Sequence, residues 1–245
     1  MFGHEFLPPQ LFEETLSINQ RVLLNDLRNF NYKKIVWDLD DTLGDTQDVV
    51  KEIFDKALKT NYKKRIIDEF DGLSRWAAED GITSYEIARA LEAQLWTSRI
   101  LLARVLPYPE MQKYSSKAAE KRKVQYIVTS RTGRLEQVTL DWSGLLYPWI
   151  PPKNIKVTAN KDVRYDADHK TNTIVELDPD IVVDDDPKHI HMALKATTRT
   201  RFVWLALGQD LRKLQHERVL ILPGGPEQFG LLMSHNLIDT IPPAL

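Results

Sequence analysis

The chain has 245 residues, of which 42% are hydrophobic and 28% charged, as in an ordinary soluble protein with one sizeable domain and room for a small second one. Its 33 Lys and Arg residues nearly balance 35 Asp and Glu residues, so the charge gives no general attraction to nucleic acid or to an anionic membrane. The absence of cysteine excludes disulfides and thiolate chemistry.

The opening residues, MFGHEFLPPQLFEE, show no basic segment followed by an apolar one, and no stretch approaches the roughly 18 apolar residues of a membrane helix. We therefore expect a cytoplasmic protein with no membrane partner. Residues 10–30 then predict an amphipathic N-terminal helix, and KKIVWDL, residues 33–39, predicts a short buried strand.

The sequence pattern of residues 46–106 predicts helix almost throughout. The last predicted helix of this block begins near Thr83 with a capping box, Thr83-x-x-Glu86, and its apolar stripe runs from Ile87 to Val105. The block is too long for an ordinary connection between a strand and the next element. We therefore predict that it is a separate helical cap over a sheet.

Short apolar runs alternate with helical segments in the rest of the chain. The predicted strands are KVQYIVTSR, NIKVTA, DIVVDDD, RFVWLAL and, as a possible sixth, VLILP. This alternation predicts an α/β fold with a doubly wound, mostly parallel sheet and helices on both faces. The predicted parts are an N-terminal helical extension (1–32), a core (33–44 and 106–245) and the cap (45–105).

Polar residues cluster where three of the predicted strands end. DLDDT follows the first strand, TSR ends the second and DDD ends the fourth. Ligands of open α/β sheets bind at the carboxyl ends of the strands. Asp38 and Asp40 are two residues apart, so an extended backbone would place both carboxylates on one face, where they repel unless a divalent cation neutralises them.

A metal would also explain the second acid cluster, Asp184–Asp186, which comes from a different strand. Oxygen ligands without accompanying His or Cys favour Mg²⁺ over zinc. Thr129 and Ser130 offer hydroxyl and backbone N–H groups suited to phosphate oxygens, and a lysine could supply further positive charge.

These residues resemble the four motifs of the haloacid dehalogenase (HAD) superfamily, in order along the chain. Asp38–Thr42 looks like the Asp-x-Asp-x-Thr first motif, and Thr129 looks like the second. Lys170, which lies 14 residues before Asp184, looks like the third, and Asp184-Asp185 looks like the fourth. The predicted cap lies where this superfamily places its first type of cap, and the resemblance implies a Rossmann-like core.

The resemblance also implies a role for each motif residue. Asp38 would be the nucleophile that forms an aspartyl-phosphate. Asp40 would protonate the leaving oxygen and then activate water. Thr129 and Lys170 would bind the transferring phosphoryl group. Because dehalogenases of the superfamily lack an acid at the position of Asp40, phosphoryl transfer is favoured.

The same resemblance implies a metal site. Mg²⁺ would be held by the Asp38 carboxylate, the main-chain carbonyl of Asp40 and one acid of the fourth motif. Asp185 is preferred to Asp184 as the direct ligand, because the second acid of such a pair is the usual ligand in relatives, although the sequence leaves both open.

Structural roles remain as alternatives for several of these residues. Asp40, Asp41 and Thr42 could cap the following helix, since Asp and Thr are good N-caps. Asp186 precedes Pro187, which is a good first residue of a helix, so capping is the expected role of Asp186.

Other polar residues near the motifs leave choices open as well. Lys156 or Lys161 could replace Lys170 as the phosphate-binding lysine. Arg131 could contact substrate or simply be an exposed residue. His189 is expected, together with His191, to decorate the surface of the helix after the fourth motif. Trp76 and Trp96 in the cap are expected to belong to its core, although they could also face the substrate.

The sequence thus predicts a Mg²⁺-dependent phosphohydrolase for a small phosphorylated metabolite. TSR and the helical cap are similar to 5'(3')-deoxyribonucleotidases, which makes a nucleotide monophosphate one substrate hypothesis. A nucleic-acid end phosphatase would need a basic strip, for which KTNYKK and KAAEKRK are the candidates. Nucleic acid is not the expected partner. A non-catalytic, phosphate-binding regulatory protein is the other alternative, and the oligomeric state is left open.

Overall fold

A computed structural model describes residues 7–67, 71–159 and 167–234. Its centre is a six-stranded sheet with the order β3-β2-β1-β4-β5-β6, in which every pair of neighbours is parallel. The strands are β1 Lys34–Trp37, β2 Val124–Thr132, β3 Ile155–Ala159, β4 Ile181–Asp184, β5 Arg201–Leu205 and β6 Val219–Leu222. The predicted α/β class is confirmed, and the possible sixth strand is present.

Helices pack on both faces of this sheet. The helices of the described residues, including those between β1 and β2 that pack mainly with one another, are α1 Pro9–Thr15, α2 Ile18–Arg28, α3 Thr46–Leu58, α4 Gly72–Glu79, α5 Tyr85–Trp96, α6 Arg99–Leu102, α7 Pro109–Glu120, α8 Glu136–Leu146, α9 Ala167–Leu177, α10 Pro187–Ala196 and α11 Gly225–Ser234. Alternate residues of β1 belong to different cores: Ile35 and Trp37 pack with Leu27 and Phe229, whereas Val36 packs with Ile190. This alternation is the doubly wound arrangement, because a strand directs successive side chains to opposite faces.

The register of the sheet brings the polar strand ends together. Strand β1 lies in the middle of the sheet, and Ile35 is paired with Gln125 of β2 and with Ile181 of β4. Since all three strands run in the same direction, their carboxyl ends meet at one edge. Asp38, directly after β1, and Asp184, the last residue of β4, therefore share that edge.

Two predicted helices are interrupted in the structure. The N-terminal helix is divided into α1 and α2 at Ser17, whose capping box with Gln20 starts a new helix. The helix predicted from Thr83 begins at Tyr85 with Ser84 as its N-cap, because the Ser84 hydroxyl accepts the N–H of Ile87. It also stops at Trp96. The predicted apolar stripe is correspondingly wrong at Ile87, which is 62% exposed.

The helices between β1 and β2 have an apolar cluster of their own. Val50, Phe54, Leu73, Ala77 and Leu95 are among its buried members. We call α3 to α6 the helical insert. In the described residues no helix combines the length and the apolar character that crossing a membrane requires.

Candidate active site

A buried lysine joins the first and fourth sequence motifs. Lys170, in the first turn of α9, is 1% exposed. Its Nζ lies 2.7 Å from Oδ1 of Asp38 and 2.7 Å from Oδ2 of Asp184. The backbone N–H of Asp38 donates to the carbonyl of Val183 at 2.9 Å, which fixes the end of β1 against β4. The structure thus brings together three residues that the sequence predicted for one site.

The charges of this cluster are set by burial and by the lysine. Burial raises the pKa of Asp38 to about 6, although the Lys170 ammonium acts in the opposite direction. Burial would also raise the pKa of Asp184, but Lys170 outweighs it and holds that pKa below the ordinary value. The two carboxylates in turn raise the pKa of Lys170 against the effect of burial. The lysine is therefore charged, as a buried ammonium with paired acids should be.

Asp185 completes a group of three acids with Asp38 and Asp184. One carboxylate oxygen of each lies within 4.8 Å of the others. The backbone of Asp185 is held in place, because its carbonyl accepts hydrogen bonds from Trp204 Nε1 at 2.9 Å and Gln209 Nε2 at 3.1 Å. Both predicted fourth-motif acids therefore belong to the same group.

This group fits a divalent cation by its chemistry. Its donors are carboxylate oxygens, which suit Mg²⁺. The Lys170 ammonium pairs with two of the three carboxylates, those of Asp38 and Asp184. Burial, and then the negative charges of neighbouring acids including Asp38 and Asp184, raise the pKa of Asp185 well above its usual range. A cation between these oxygens would remove that repulsion.

The side chain of Asp40 turns away from this group toward Arg131. Arg131 Nε donates to Oδ2 of Asp40 at 3.0 Å and Nη2 donates to Oδ1 at 2.6 Å, while the Thr46 hydroxyl donates to Oδ1 at 2.6 Å. Burial alone would raise the pKa of Asp40, but Arg131 and Thr46 hold it below the ordinary value. The predicted metal contact through the Asp40 carbonyl stays a prediction.

Arg131 is a buried partner of Asp40, a position that the sequence did not predict for it. An exposed position at the start of a loop was one expectation for it, but β2 continues to Thr132 and Arg131 is only 6% exposed. Its Nη1 also donates to the Thr139 hydroxyl at 3.3 Å. The chemistry could have indicated this pairing, because a buried acid at a strand end needs a cation and Arg131 is the penultimate residue of the neighbouring strand β2.

Asp41 and Asp186 both accept N–H groups at the start of a helix, as their alternative structural roles predicted, although the N-cap residue of α3 itself is Asp45. Oδ1 of Asp41 accepts the N–H groups of Thr46 at 3.1 Å and Gln47 at 2.8 Å at the start of α3. Oδ1 of Asp186 accepts the N–H of Lys188 at 2.7 Å at the start of α10. Thr42, in contrast, donates its hydroxyl to Oδ1 of Asp185 at 3.4 Å.

The expectation that His189 decorates a helix surface is wrong, whereas His191 is exposed. His189 is 6% exposed because the first turn of α10 lies against the sheet edge. Its Nδ1 lies 3.1 Å from Lys170 Nζ and its Nε2 lies 3.2 Å from the Ser130 hydroxyl. Since an ammonium can only donate, Nδ1 accepts and the ring proton of a neutral His189 is on Nε2.

The other residues that the sequence predicted for the site or the cap occupy different parts of the structure. Thr129 is 1% exposed, and its hydroxyl accepts the N–H of Arg131 at 3.3 Å. Lys156 is half-buried in β3 and forms no ion pair with the described residues, and Lys161 lies outside them. Trp76 packs edge-on against Tyr62, with ring centroids 5.6 Å apart. This packing favours a core role for Trp76.

Similarity to known proteins is confined to structure. No protein-family model matches the sequence, and no curated protein matches it either. A protein of Clostridium difficile assigned as a phosphatase matches with a TM-score of 0.55 and 14% identity, over 71% of this chain and 85% of the other. A HAD-like family hydrolase of Streptococcus pneumoniae matches with a TM-score of 0.52 and 14% identity, over 81% and 97%.

A third solved structure, the assigned HAD-hydrolase YfnB of Bacillus subtilis bound to magnesium, matches with a TM-score of 0.50 and 16% identity, over 82% of this chain and 98% of the other. At these identities the likeness shows a shared fold, and it agrees with the α/β architecture described above.

Proposed function

We propose that this chain is a Mg²⁺-dependent phosphohydrolase that cleaves small phosphate monoesters through a phosphorylated Asp38. One observation carries the proposal: Asp38 ends the central strand 2.7 Å from the ammonium of Lys170, inside an oxygen-only group with Asp184 and Asp185. A nucleophile, a cation for phosphoryl oxygens and metal-ligand oxygens are thereby present at one point. The hydrolase assignments of the structural neighbours support the same reaction class.

The reaction would take place in two steps. A carboxylate oxygen of Asp38 attacks phosphorus, the bond to the leaving oxygen breaks, and that oxygen takes a proton from Asp40. Asp40, then ionised, removes a proton from water, and the water oxygen attacks phosphorus and releases Asp38. While Arg131 holds Asp40 ionised, Asp40 is prepared for the second step. To donate in the first step, Asp40 must release Arg131 and carry a proton, which it takes from solvent before the first turnover or keeps from the water of the preceding second step.

The other residues of the site would hold the phosphoryl group and the metal. Lys170 would transfer one of its hydrogen bonds to a phosphoryl oxygen, and Thr129 would offer its hydroxyl. The carboxylates of Asp38 and of Asp184 or Asp185, with the Asp40 carbonyl, would hold Mg²⁺. When bound, this ion supplies positive charge to the phosphoryl oxygens. The magnesium bound to YfnB supports this choice of metal.

The helical insert would act as a cap that limits the substrate to small molecules. It has its own apolar cluster, so it can move as a unit, and the YfnB structure is described as revealing interdomain movement. A lid that closes over the sheet edge excludes water and large polymers together. The motif similar to deoxyribonucleotidases makes a nucleotide monophosphate one substrate hypothesis, which competes with other small phosphate monoesters.

The test is hydrolysis of p-nitrophenyl phosphate with Mg²⁺ by the wild type and by Asp38→Asn. The amide keeps the shape of the carboxylate but cannot attack phosphorus, so we expect activity to fall to the background rate. Asp178→Asn is the matched control, because Asp178 is exposed, forms only a surface ion pair with Arg199 and has a φ of 43°, which Asn tolerates. A folded wild type that binds phosphate without turnover would support the regulatory alternative.

A further inference from the structure

A cavity of about 280 Å³ lies at the same sheet edge as the acidic group. Its walls are the first turns of α3, Tyr108, and the loops that follow β5 and β6. These loops leave the carboxyl ends of their strands, as Asp38 does. The cavity adjoins the acidic group through the loop after β5, because Gly208 lines the cavity and the next residue, Gln209, donates to the carbonyl of Asp185 at 3.1 Å.

Lys51 is the buried cation of this cavity. The residue is 7% exposed and its side chain lines the cavity. Its Nζ lies 3.7 Å from Oδ1 of Asp48 and donates no hydrogen bond to any of the residues that the structure describes. An ammonium carries three N–H donors, and Lys51 is held near the Asp48 carboxylate only at ion-pair distance. Lys51 therefore has donors to offer to a molecule in the cavity.

The rest of the lining combines acidic side chains with the apolar side chains of Ile66, Leu207, Pro223 and Pro226. Asp45, Asp48 and Glu227 contribute carboxylates. The opposite wall is tied together, because the Gly208 N–H donates to the carbonyl of Pro223 at 2.9 Å. The loops also touch at Gly225, where an added Cβ would come within 2.4 Å of the Leu207 side chain. The shape of the wall is thus set before any ligand binds.

We propose that this cavity binds the leaving group of a polyol or sugar phosphate and that Lys51 is the residue that selects it. The inference rests on the proposed phosphohydrolase function. A hydroxyl group can accept from the ammonium and donate to a carboxylate at the same time, whereas a second anionic group would be repelled by the carboxylates. The cavity volume lies just below the range of roughly 300–1,000 Å³ typical of drug-sized ligands, so the cavity suits a small leaving group.

The experiment compares kcat/KM for glucitol 6-phosphate, deoxyadenosine monophosphate and p-nitrophenyl phosphate in the wild type and in Lys51→Met. We expect the wild type to prefer glucitol 6-phosphate. Lys51→Met should lower kcat/KM for it about 10- to 100-fold, mainly through KM, and should lower the value for p-nitrophenyl phosphate much less. Lys56→Met is the control, since Lys56 is an exposed residue of the same helix paired with Glu52. Lys56→Met should leave kcat/KM unchanged for all three substrates.

Two results would overturn the inference: a wild-type preference for deoxyadenosine monophosphate over glucitol 6-phosphate, or an equal loss on all three substrates in a Lys51→Met protein with unchanged melting temperature. Calorimetry should also be used to measure the binding of glucitol 6-phosphate to Asp38→Asn and to the double variant Asp38→Asn/Lys51→Met. This comparison tests the cavity in the absence of turnover. If the wild type hydrolyses nothing, the proposed function fails by itself. Weaker binding after Lys51→Met then still supports the cavity, and unchanged binding refutes it.

Discussion

The sheet edge and the helical insert both bury acidic side chains, but they treat the charge differently. At the edge, Lys170 and Arg131 keep the pKa values of Asp184 and Asp40 below the ordinary value despite burial. In the insert, Glu92 is fully buried, and burial raises its pKa although Ser74 donates its N–H and hydroxyl to the carboxylate. Lys170 and Arg131 thus keep Asp184 and Asp40 ionised despite burial, whereas at Glu92 the donors of Ser74 and the charge of Arg89 do not offset burial, which favours the uncharged acid.

Removal of the metal should give the largest effect at the sheet edge. EDTA should reduce phosphatase activity to the background rate, because the three clustered acids would again repel one another. Mg²⁺ should restore activity and raise the melting temperature, since it binds the folded state. Ca²⁺ should restore little, because its looser coordination misplaces the phosphoryl group. Full activity in EDTA, with metal analysis confirming its removal, would refute the metal site.

Loss of the buried cation should be nearly as severe. Lys170→Ala should lower kcat about 100- to 1,000-fold, as expected for a group that neutralises charge in the transition state. It should also lower the free energy of unfolding by about 3–5 kcal/mol in metal-free protein, since buried carboxylates lose their partner. Lys156→Ala, on the half-buried lysine of β3, should do neither. An active Lys170→Ala protein would show that the third motif was assigned to the wrong lysine.

His189 should have an intermediate effect that depends on which ring nitrogen is kept. His189→Asn retains an acceptor near Nδ1 for Lys170, and His189→Gln retains a donor near Nε2 for Ser130. If His189 positions the ammonium, kcat should fall about tenfold further in the Gln variant than in the Asn variant. His191→Asn, on the exposed histidine, is the control. Equal kcat values in the two variants, with lower melting temperatures, would indicate a packing role instead.

Substitution of Glu92 should have the smallest effect of the four changes, and it should alter only the free energy of unfolding. The pKa of Glu92 is raised in the folded state, so its contribution is most favourable below the unfolded-state pKa and is lost as pH rises through the folded-state pKa. In denaturant unfolding, the free energy of unfolding of Glu92→Gln should therefore increase relative to that of the wild type as pH rises from acid to neutral. Activity should not change. Parallel stability curves for the two proteins would contradict the contrast between the regions.

The same contrast explains what could be predicted from the sequence. The composition of the sheet edge was predictable because the carboxyl ends of parallel strands lie at the same edge of a sheet. Asp38 and Asp184, which lie at the ends of two predicted strands, were therefore expected at that edge. The helices of the insert are positioned by packing among themselves. The sequence pattern therefore placed the start of α5 about two residues too early. It also extended the apolar stripe of this helix beyond Trp96, where the helix ends in the structure.

Within the site, the partners of the motif residues were harder to predict than the motifs. Arg131 and His189 contact Asp40 and Lys170 across distances of 91 and 19 residues along the chain. No local pattern encodes such pairing, because it depends on how far β2 extends and on which way the first turn of α10 faces. Both features are set by the assembled sheet.

The most direct test of the account is a search for phosphate on Asp38. Asp40→Asn should form the adduct from p-nitrophenyl phosphate, whose leaving group departs without a proton, but should hydrolyse it slowly because the amide cannot activate water. After acid quenching, peptide mass spectrometry should find phosphate on the peptide containing Asp38, together with a burst of p-nitrophenolate. Sustained release of p-nitrophenolate with no phosphate on Asp38 would contradict the central claim.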